Sequence, residues 1–404
     1  MRTWISGWRL RFRNRLIAAI GLARTIETFD RPAWLYRGRR RIPAGERCFR
    51  EPSPVSEPDL ALCGRLIVAY RRAQVDARDA GGMWSHEIYR DRQRGLRSAL
   101  EREQPAAVAE LLASMFRSDF ILGMAPGSLG VGRQPRALAR LSYLATMNKL
   151  VALAESQATT LVENPEQGVV AVGLRDGIDS LIAGLEGSLG LPLDFPAVGA
   201  AYGVLAAGRL ITPDTPDQVY AAARIRDVIR DNFSAHAAEP LRIVEIGAGY
   251  GGMAYWLMKL LDEAPRYAVV DLPIANVLQG YFLAQTLGHS QVSLYGEGPG
   301  AVTVLPGHAL SVVETPFDVL LNKDSMPEIP RGALLDYLRW ARGACTGIFY
   351  SYNQEAAAEF DGTAQNVVPQ VLAELGGFSR KRRDASWLRR GYVEEVYAIE
   401  TSDL

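Results

Sequence analysis

The 404-residue sequence is poor in histidine, lysine and cysteine, and each shortage excludes a class of chemistry. Cys48, Cys63 and Cys345 lie far apart and form no C-x-x-C pair. That excludes a zinc knuckle or disulfide framework and implies reduced thiols in a cytoplasmic protein. His86, His236, His289 and His308 are equally scattered, with no H-E-x-x-H pair, so no dedicated metal site is expected. Lys+Arg and Asp+Glu are both 45, and a formal charge of zero gives the whole chain no nucleic-acid signature. The only lysines are Lys149, Lys259, Lys323 and Lys381, a skew that makes isolated arginines poor site markers. No apolar run approaches the roughly 20 residues of a membrane span.

An apolar fraction of 48% is ample for the cores of two or three domains. The first residues, "MRTWISGWRLRFRNRL", set Trp4, Trp8, Phe12 and Leu16 at helical steps among arginines. This pattern suits either an anionic membrane surface, which would place the protein on the inner leaflet through residues 1–30, or packing against its own body or a sister subunit. Residues 41–58 read as a proline-rich arm. Apolar residues at three- and four-residue steps then predict a mainly helical region over 59–235. Beyond residue 236 the pattern changes to alternating strands and helices, which predicts an α/β domain with a parallel, doubly wound sheet and its ligand at the carboxyl ends of the strands.

Glycine is concentrated where that alternation begins. "VEIGAGYGG", Val244 to Gly252, follows a strand-like run and precedes a helical one. Read as Gly247, Gly249 and Gly252 it fits the dinucleotide fingerprint G-x-G-x-x-G, with Asp271 at the ribose-binding position. Read as Glu245, Gly247, Gly249 and Gly251 it fits E-x-G-x-G-x-G, the S-adenosylmethionine (SAM) pattern of class I methyltransferases. Glu245 favours the second, because a carboxylate suits an ammonium group and would repel a pyrophosphate.

"VEIGAGYGGMAYWLMKLL", "YAVVDLPIANVLQGYFLAQTLG", "FDVLLNKDSMPEIP" and "IFYSYNQE", in this order, resemble a bacterial family described as sugar O-methyltransferases, over roughly residues 59–400. The resemblance implies a Rossmann-like methyltransferase domain at the C-terminus, SAM as cofactor and a sugar hydroxyl as acceptor. Around SAM it implies Ala248 and Leu272 beside the glycines and Asp271, with Asn322 and with His308 where many class I enzymes place an acid against adenine. On the acceptor side, Asp324 is the first choice for general base and Glu328 the second, with Asn322 and Ser325 orienting. Tyr350, Tyr352 and Asn353 are candidates to contact the sugar, and Phe116, Arg117 and Asn148 to line the pocket. Two further readings stand beside this one: a small-molecule O-methyltransferase, and a catalytically silent partner of the same fold.

Overall fold

The computed structural model describes residues 46–76, 87–121, 123–125, 136–164, 167, 172–233, 239–360 and 363–400, so the membrane or subunit contact expected of residues 1–30 lies outside the described residues. The region before Leu241 contains helices α1 (Glu57–Asp76), α2 (Glu87–Glu101), α3 (Pro105–Ala113), α4 (Arg136–Ser156), α5 (Ile178–Leu189) and α6 (Thr215–Asn232). It also contains a small antiparallel sheet that the helical pattern does not predict. Strand β1 (Glu46–Phe49) pairs with β2 (Tyr202–Ala206), which pairs with β3 (Arg209–Ile211). The stretch read as an irregular arm is thus partly a strand. Its pairing partner is remote in sequence, and Phe49 stacks on Tyr202 with ring centroids 5.9 Å apart.

The α/β region runs β4 (Arg242–Ile246), α7 (Gly252–Leu260), β5 (Arg266–Asp271), α8 (Pro273–Leu287), β6 (Val292–Leu294), β7 (Val302–Pro306), β8 (Phe317–Lys323), α9 (Arg331–Ala344) and β9 (Cys345–Gln354). The hairpin of β10 (Glu359–Phe360) and β11 (Thr363–Ala364) follows, then α10 (Val368–Leu375), β12 (Phe378–Ala385) and β13 (Tyr392–Ile399). Eight of these strands form one sheet in the order β12-β13-β9-β8-β4-β5-β7-β6. The strands from β6 to β9 pair in parallel, whereas β13 runs antiparallel to both neighbours. This is the expected α/β fold at the C-terminal end of the chain, with one strand reversed.

Local chemistry sets the element ends. Pro273, whose φ suits the first helical position, starts α8. At the head of α6, Thr212 and Thr215 exchange hydrogen bonds of 3.1 Å between each hydroxyl and the other's backbone N–H. Strand β12 escaped the sequence reading because "FSRKRRDA" is dominated by charge. It is an edge strand, where charge discourages pairing with another chain. Its Arg380 and Arg383 reach the buried Glu395 of β13 at 3.1 and 2.7 Å.

The two faces of the sheet have different covers. Val244, Val270, Leu320 and Phe349 pack under α9 and α10, against Leu334, Leu338, Val368 and Val371. Ile243, Val269, Val304 and Leu321 belong to a core that also takes in Leu66 of α1, Leu150 of α4 and Ile225 of α6. The helical region and this face of the sheet share one continuous core. The helices can therefore hold side chains at fixed positions over the carboxyl edge.

Candidate active site

Strand β4 delivers the chain to Gly247, Gly249 and Gly251, whose φ angles of 73°, 62° and 92° are left-handed. Space is as restrictive as the dihedrals. A Cβ on Gly247 would overlap the Ser325 side chain, and one on Gly249 would lie 2.9 Å from the Met124 carbonyl oxygen. Helix α7 starts at Gly252, so its unpaired N–H groups open onto this turn. Asn322 Nδ2 donates to the Ile246 carbonyl at 2.7 Å and to Ser325 Oγ at 2.6 Å, and Ser325 Oγ donates to the same carbonyl at 3.1 Å. Asn322 and Ser325 therefore brace the glycine turn. That corrects the acceptor-orienting role expected of Asn322 and Ser325: both side chains are engaged by the end of β4.

Asp271, at the tip of β5, is bound to the same turn. Its Oδ1 accepts from Leu272 N at 2.7 Å, its Oδ2 from Gln279 Nε2 at 2.6 Å, and the N–H groups of Ala248 and Gly249 also donate to it. Burial nevertheless pushes its carboxyl up to about 6. Gln279, fully buried on α8, also donates to the Gly249 carbonyl at 3.0 Å. The sequence reading missed it, although it lies two turns into the helix that Asp271 precedes. Just beyond, a small pocket, with room for about one water, is lined by Pro273, Asn276, Tyr295 and apolar groups of α1. His308 is exposed and packs edge-on against Tyr295, with centroids 5.8 Å apart.

Glu245 lies beneath the turn, 1% exposed. Burial pushes its carboxyl up to about 7, against the hydroxyl of Tyr267, which donates at 2.8 Å, and the charge of Lys323.

On the other side of the carboxyl edge the expected set is rearranged. Asp324 has a left-handed φ of 72° and is paired with Arg389, with Lys323 Nζ 3.8 Å away and the Tyr392 hydroxyl donating to it. Although burial opposes it, these partners hold its carboxyl below the ordinary range. The contacts with Arg389 and Lys323 both fall on its Oδ2. Glu328 is half-buried on the turn Met326–Glu328.

Tyr350 and Tyr352 are core residues, a correction to their expected contact with acceptor. The Tyr350 hydroxyl donates to the buried Glu394 at 3.0 Å, and the Tyr352 hydroxyl meets Ser386 Oγ at 2.7 Å. Asn353 is buried too and donates to Asn322 Oδ1 at 2.9 Å. Arg117 pairs with Glu51 at 3.2 Å and ties down the segment after β1. Asn148 is buried on α4.

Phe116 does line a small pocket, with room for about one water, together with Phe195, Tyr202, Tyr250, Thr212 and Asp214. Tyr250, within the glycine turn, donates its hydroxyl to Asp214 at the head of α6. One turn further along α6, Asp217 is paired with Lys149 of α4. The Tyr220 hydroxyl accepts from Trp387 N at 3.2 Å, and Trp387 Nε1 donates to Glu155 of α4 at 3.2 Å. The turn at 386–391, between β12 and β13, thus closes over the edge and brings Arg389 to Asp324. The cluster Lys149, Asp217 and Arg389 was not found from sequence. Its only local signal was the dense "SWLRRGY" turn.

No family model matches the sequence, and no curated protein matches it. Solved structures resemble it in part. A candidate O-methyltransferase from Nostoc punctiforme is 13% identical over 46% of this chain and 57% of its own, with a TM-score of 0.34. This chain thus spans little more than half of that protein. Magnesium protoporphyrin IX methyltransferase from Synechocystis, solved with bound S-adenosylhomocysteine (SAH), is 12% identical over 46% of this chain and 86% of its own, at 0.32. A ribosomal protein L11 methylase from Lactobacillus delbrueckii is 14% identical over 46% and 79%, at 0.31. The likeness is one of fold.

Proposed function

We propose that the protein is a SAM-dependent O-methyltransferase whose acceptor is a sugar hydroxyl, in a glycan, a glycolipid or a nucleotide-linked sugar. The observation that carries the cofactor reading is the joining of the left-handed glycine turn, Asp271 and the N-terminus of α7 at one place on the sheet edge, with a buried carboxylate, Glu245, directly beneath. The groups present fit SAM if a ribose hydroxyl replaces one of the donors that Asp271 now accepts, from Leu272, Gln279, Ala248 and Gly249; the α7 N–H groups suit a carboxylate, and Glu245 suits an ammonium. A pyrophosphate would meet the charge of Glu245. The reversed β13 also departs from dinucleotide folds, which complete their sheets chiefly with parallel strands.

When bound, SAM supplies an electrophilic methyl group, so the chain's own task is to align an oxygen and exclude water. Asn322 and Ser325 fix the glycine turn, and α4, α6 and the 386–391 turn wall the acceptor side. Phe116, Phe195, Tyr202 and Tyr250, with Asp214 and Thr212, line a pocket with room for about one water on the same side, so the sugar reading rests on the sequence resemblance.

Calorimetry with SAH and with NAD tests the cofactor. SAH is expected to bind and NAD is not; NAD binding alone would sink the reading. Label from methyl-labelled SAM is expected in polysaccharide or lipid-linked glycan fractions. Label only in a small aromatic product would transfer the reading to small-molecule methylation, and SAH binding with no label anywhere would mark a silent partner.

A further inference from the structure

Methylation of a hydroxyl releases a proton, and Asp324, the first residue expected to take it, is already ion-paired. Asp324 is engaged by Arg389, Lys323 and Tyr392. Of the histidines within the described residues, His289 follows α8 and His308 packs on Tyr295 beyond β7, both away from α6 and the 386–391 turn.

One carboxylate has a different environment. Among the described residues, eight buried side-chain nitrogen or oxygen atoms have no hydrogen-bond partner, and Asp217 Oδ1 is the only carboxylate oxygen of the eight. Asp217 is 5% exposed and its Oδ2 is paired with Lys149. A buried acceptor without a donor is costly to a fold and calls for a reason. Its position supplies one. Asp214, three residues before, receives the hydroxyl of Tyr250 from the glycine turn, and Tyr220, three residues after, holds the 386–391 turn. The charge of Asp217 is felt by Arg389 and by Tyr352 at the end of β9. Asp217 thus lies on the stretch of α6 that spans from the glycine turn to the tips of β8 and β9.

We propose that Asp217, through Oδ1, accepts the acceptor hydroxyl and takes its proton, while Lys149 holds the carboxylate in place. This rests on the methyltransferase reading above. As a lone pair of the hydroxyl oxygen forms the bond to the methyl carbon, the carbon–sulfur bond breaks and its electrons stay on sulfur. The O–H bond then breaks, its pair remains on the ether oxygen, and the proton moves to Oδ1. An oxygen that is bonding to carbon becomes strongly acidic, so an available lone pair, rather than basicity, decides which carboxylate serves. The group this site takes is a neutral sugar hydroxyl, because Oδ1 needs a donor.

The test compares full-length wild type, Asp217→Asn and Asp217→Glu, each loaded with SAH for binding and with labelled SAM for transfer. Saturation-transfer NMR with methyl α-D-glucopyranoside as the polyol probe is expected to show contact in wild type and at least a tenfold weaker signal in D217N. Label transfer into the glycan fraction is expected to fall at least a hundredfold in D217N and to recover in part in D217E. Melting temperature and SAH affinity should stay within 3 °C and threefold of wild type. Unchanged probe contact or transfer in D217N overturns the assignment, as does a parallel loss of melting temperature and SAH binding in both variants. Wild type that binds SAH yet neither contacts the probe nor labels a glycan also overturns it. Wild type that fails to bind SAH would instead sink the cofactor reading, and the role of Asp217 with it.

Discussion

The two sides of the sheet's carboxyl edge are constructed on different principles. The glycine-turn side is made mostly of residues 244–279, braced by the side chains of Asn322 and Ser325, and relies largely on backbone groups: Asp271 meets the N–H groups of Ala248, Gly249 and Leu272, and Gly247 N donates to the Val270 carbonyl at 2.9 Å. The facing wall is held by side chains from distant parts of the chain. Lys149 pairs with Asp217 across 68 residues, and Asp324 with Arg389 across 65. A site formed by backbone needs particular dihedrals at particular positions, and so imposes glycine and a strand-tip acid at fixed spacing. A site formed by long side chains can draw on any loop or helix that reaches it.

The largest effect that would break this contrast is expected at Gly247. Valine there must adopt the left-handed φ of 73° and place its Cβ where Ser325 stands. Backbone strain and overpacking together should cost about 3–5 kcal/mol of stability, read by urea denaturation. SAH affinity should fall by at least about a hundredfold, close to 3 kcal/mol. If Gly247→Val binds SAH like wild type, the glycine turn is not the cofactor site.

This division decides how much the sequence could reveal. The α/β alternation, the turn, Asp271 and its helix were all legible, because hydrophobic period and glycine placement are local signals. Strand β12 was hidden because Arg380 and Arg383 take their partners from Glu395 of β13 and Glu355 just after β9, while Arg382 pairs with Asp384 within the strand, so its pattern reads as a solvated charge run. Asp217 and Arg389 were hidden for a related reason: beyond the dense "SWLRRGY" turn, nothing beside them in the chain distinguishes them from surface charges. Tyr350 and Tyr352 misled in the opposite sense. Their position after the fifth parallel strand suggested a ligand contact, while their burial depends on α6 and β13, which the local sequence does not show.

A second, intermediate effect would sharpen the contrast at Glu245. Its carboxyl is pushed from an ordinary 4.5 to about 7, so the folded chain holds this proton more tightly than the unfolded chain does. The group's contribution to stability is therefore most favourable below about pH 4.5, declines as pH rises to about 7, and is level above that. A ligand ammonium reverses the penalty by pairing with the ionised form. SAH affinity is expected to rise by several-fold between pH 6 and 8 in wild type, and to be flat and at least about tenfold weaker at pH 8 in Glu245→Gln. Calorimetry at the two values checks this. A wild-type affinity that does not change with pH would mean that Glu245 serves only to hold Tyr267.

The smallest effect is expected at Tyr350, where the sequence suggested function and the structure gives packing. Its hydroxyl contributes one of three contacts to Glu394, which is also held by Tyr220 and by Arg224 Nε at 2.8 Å. Tyr350→Phe removes that donor and leaves the ring, the strand register and the other two partners in place. A hydrogen bond to a charged, buried acceptor is worth about 1.5–3 kcal/mol, and with two partners remaining the loss should be near the lower end, about 1–2 kcal/mol by denaturation. Neither SAH binding nor contact with a polyol probe should change, because the hydroxyl faces Glu394 within the core between β9, β13 and α6. A variant of unaltered stability that had lost probe contact would return Tyr350 to the acceptor site. The wall facing the glycine turn would then extend along β9 as well as α6 and the 386–391 turn, and strand order alone would have been enough to find it.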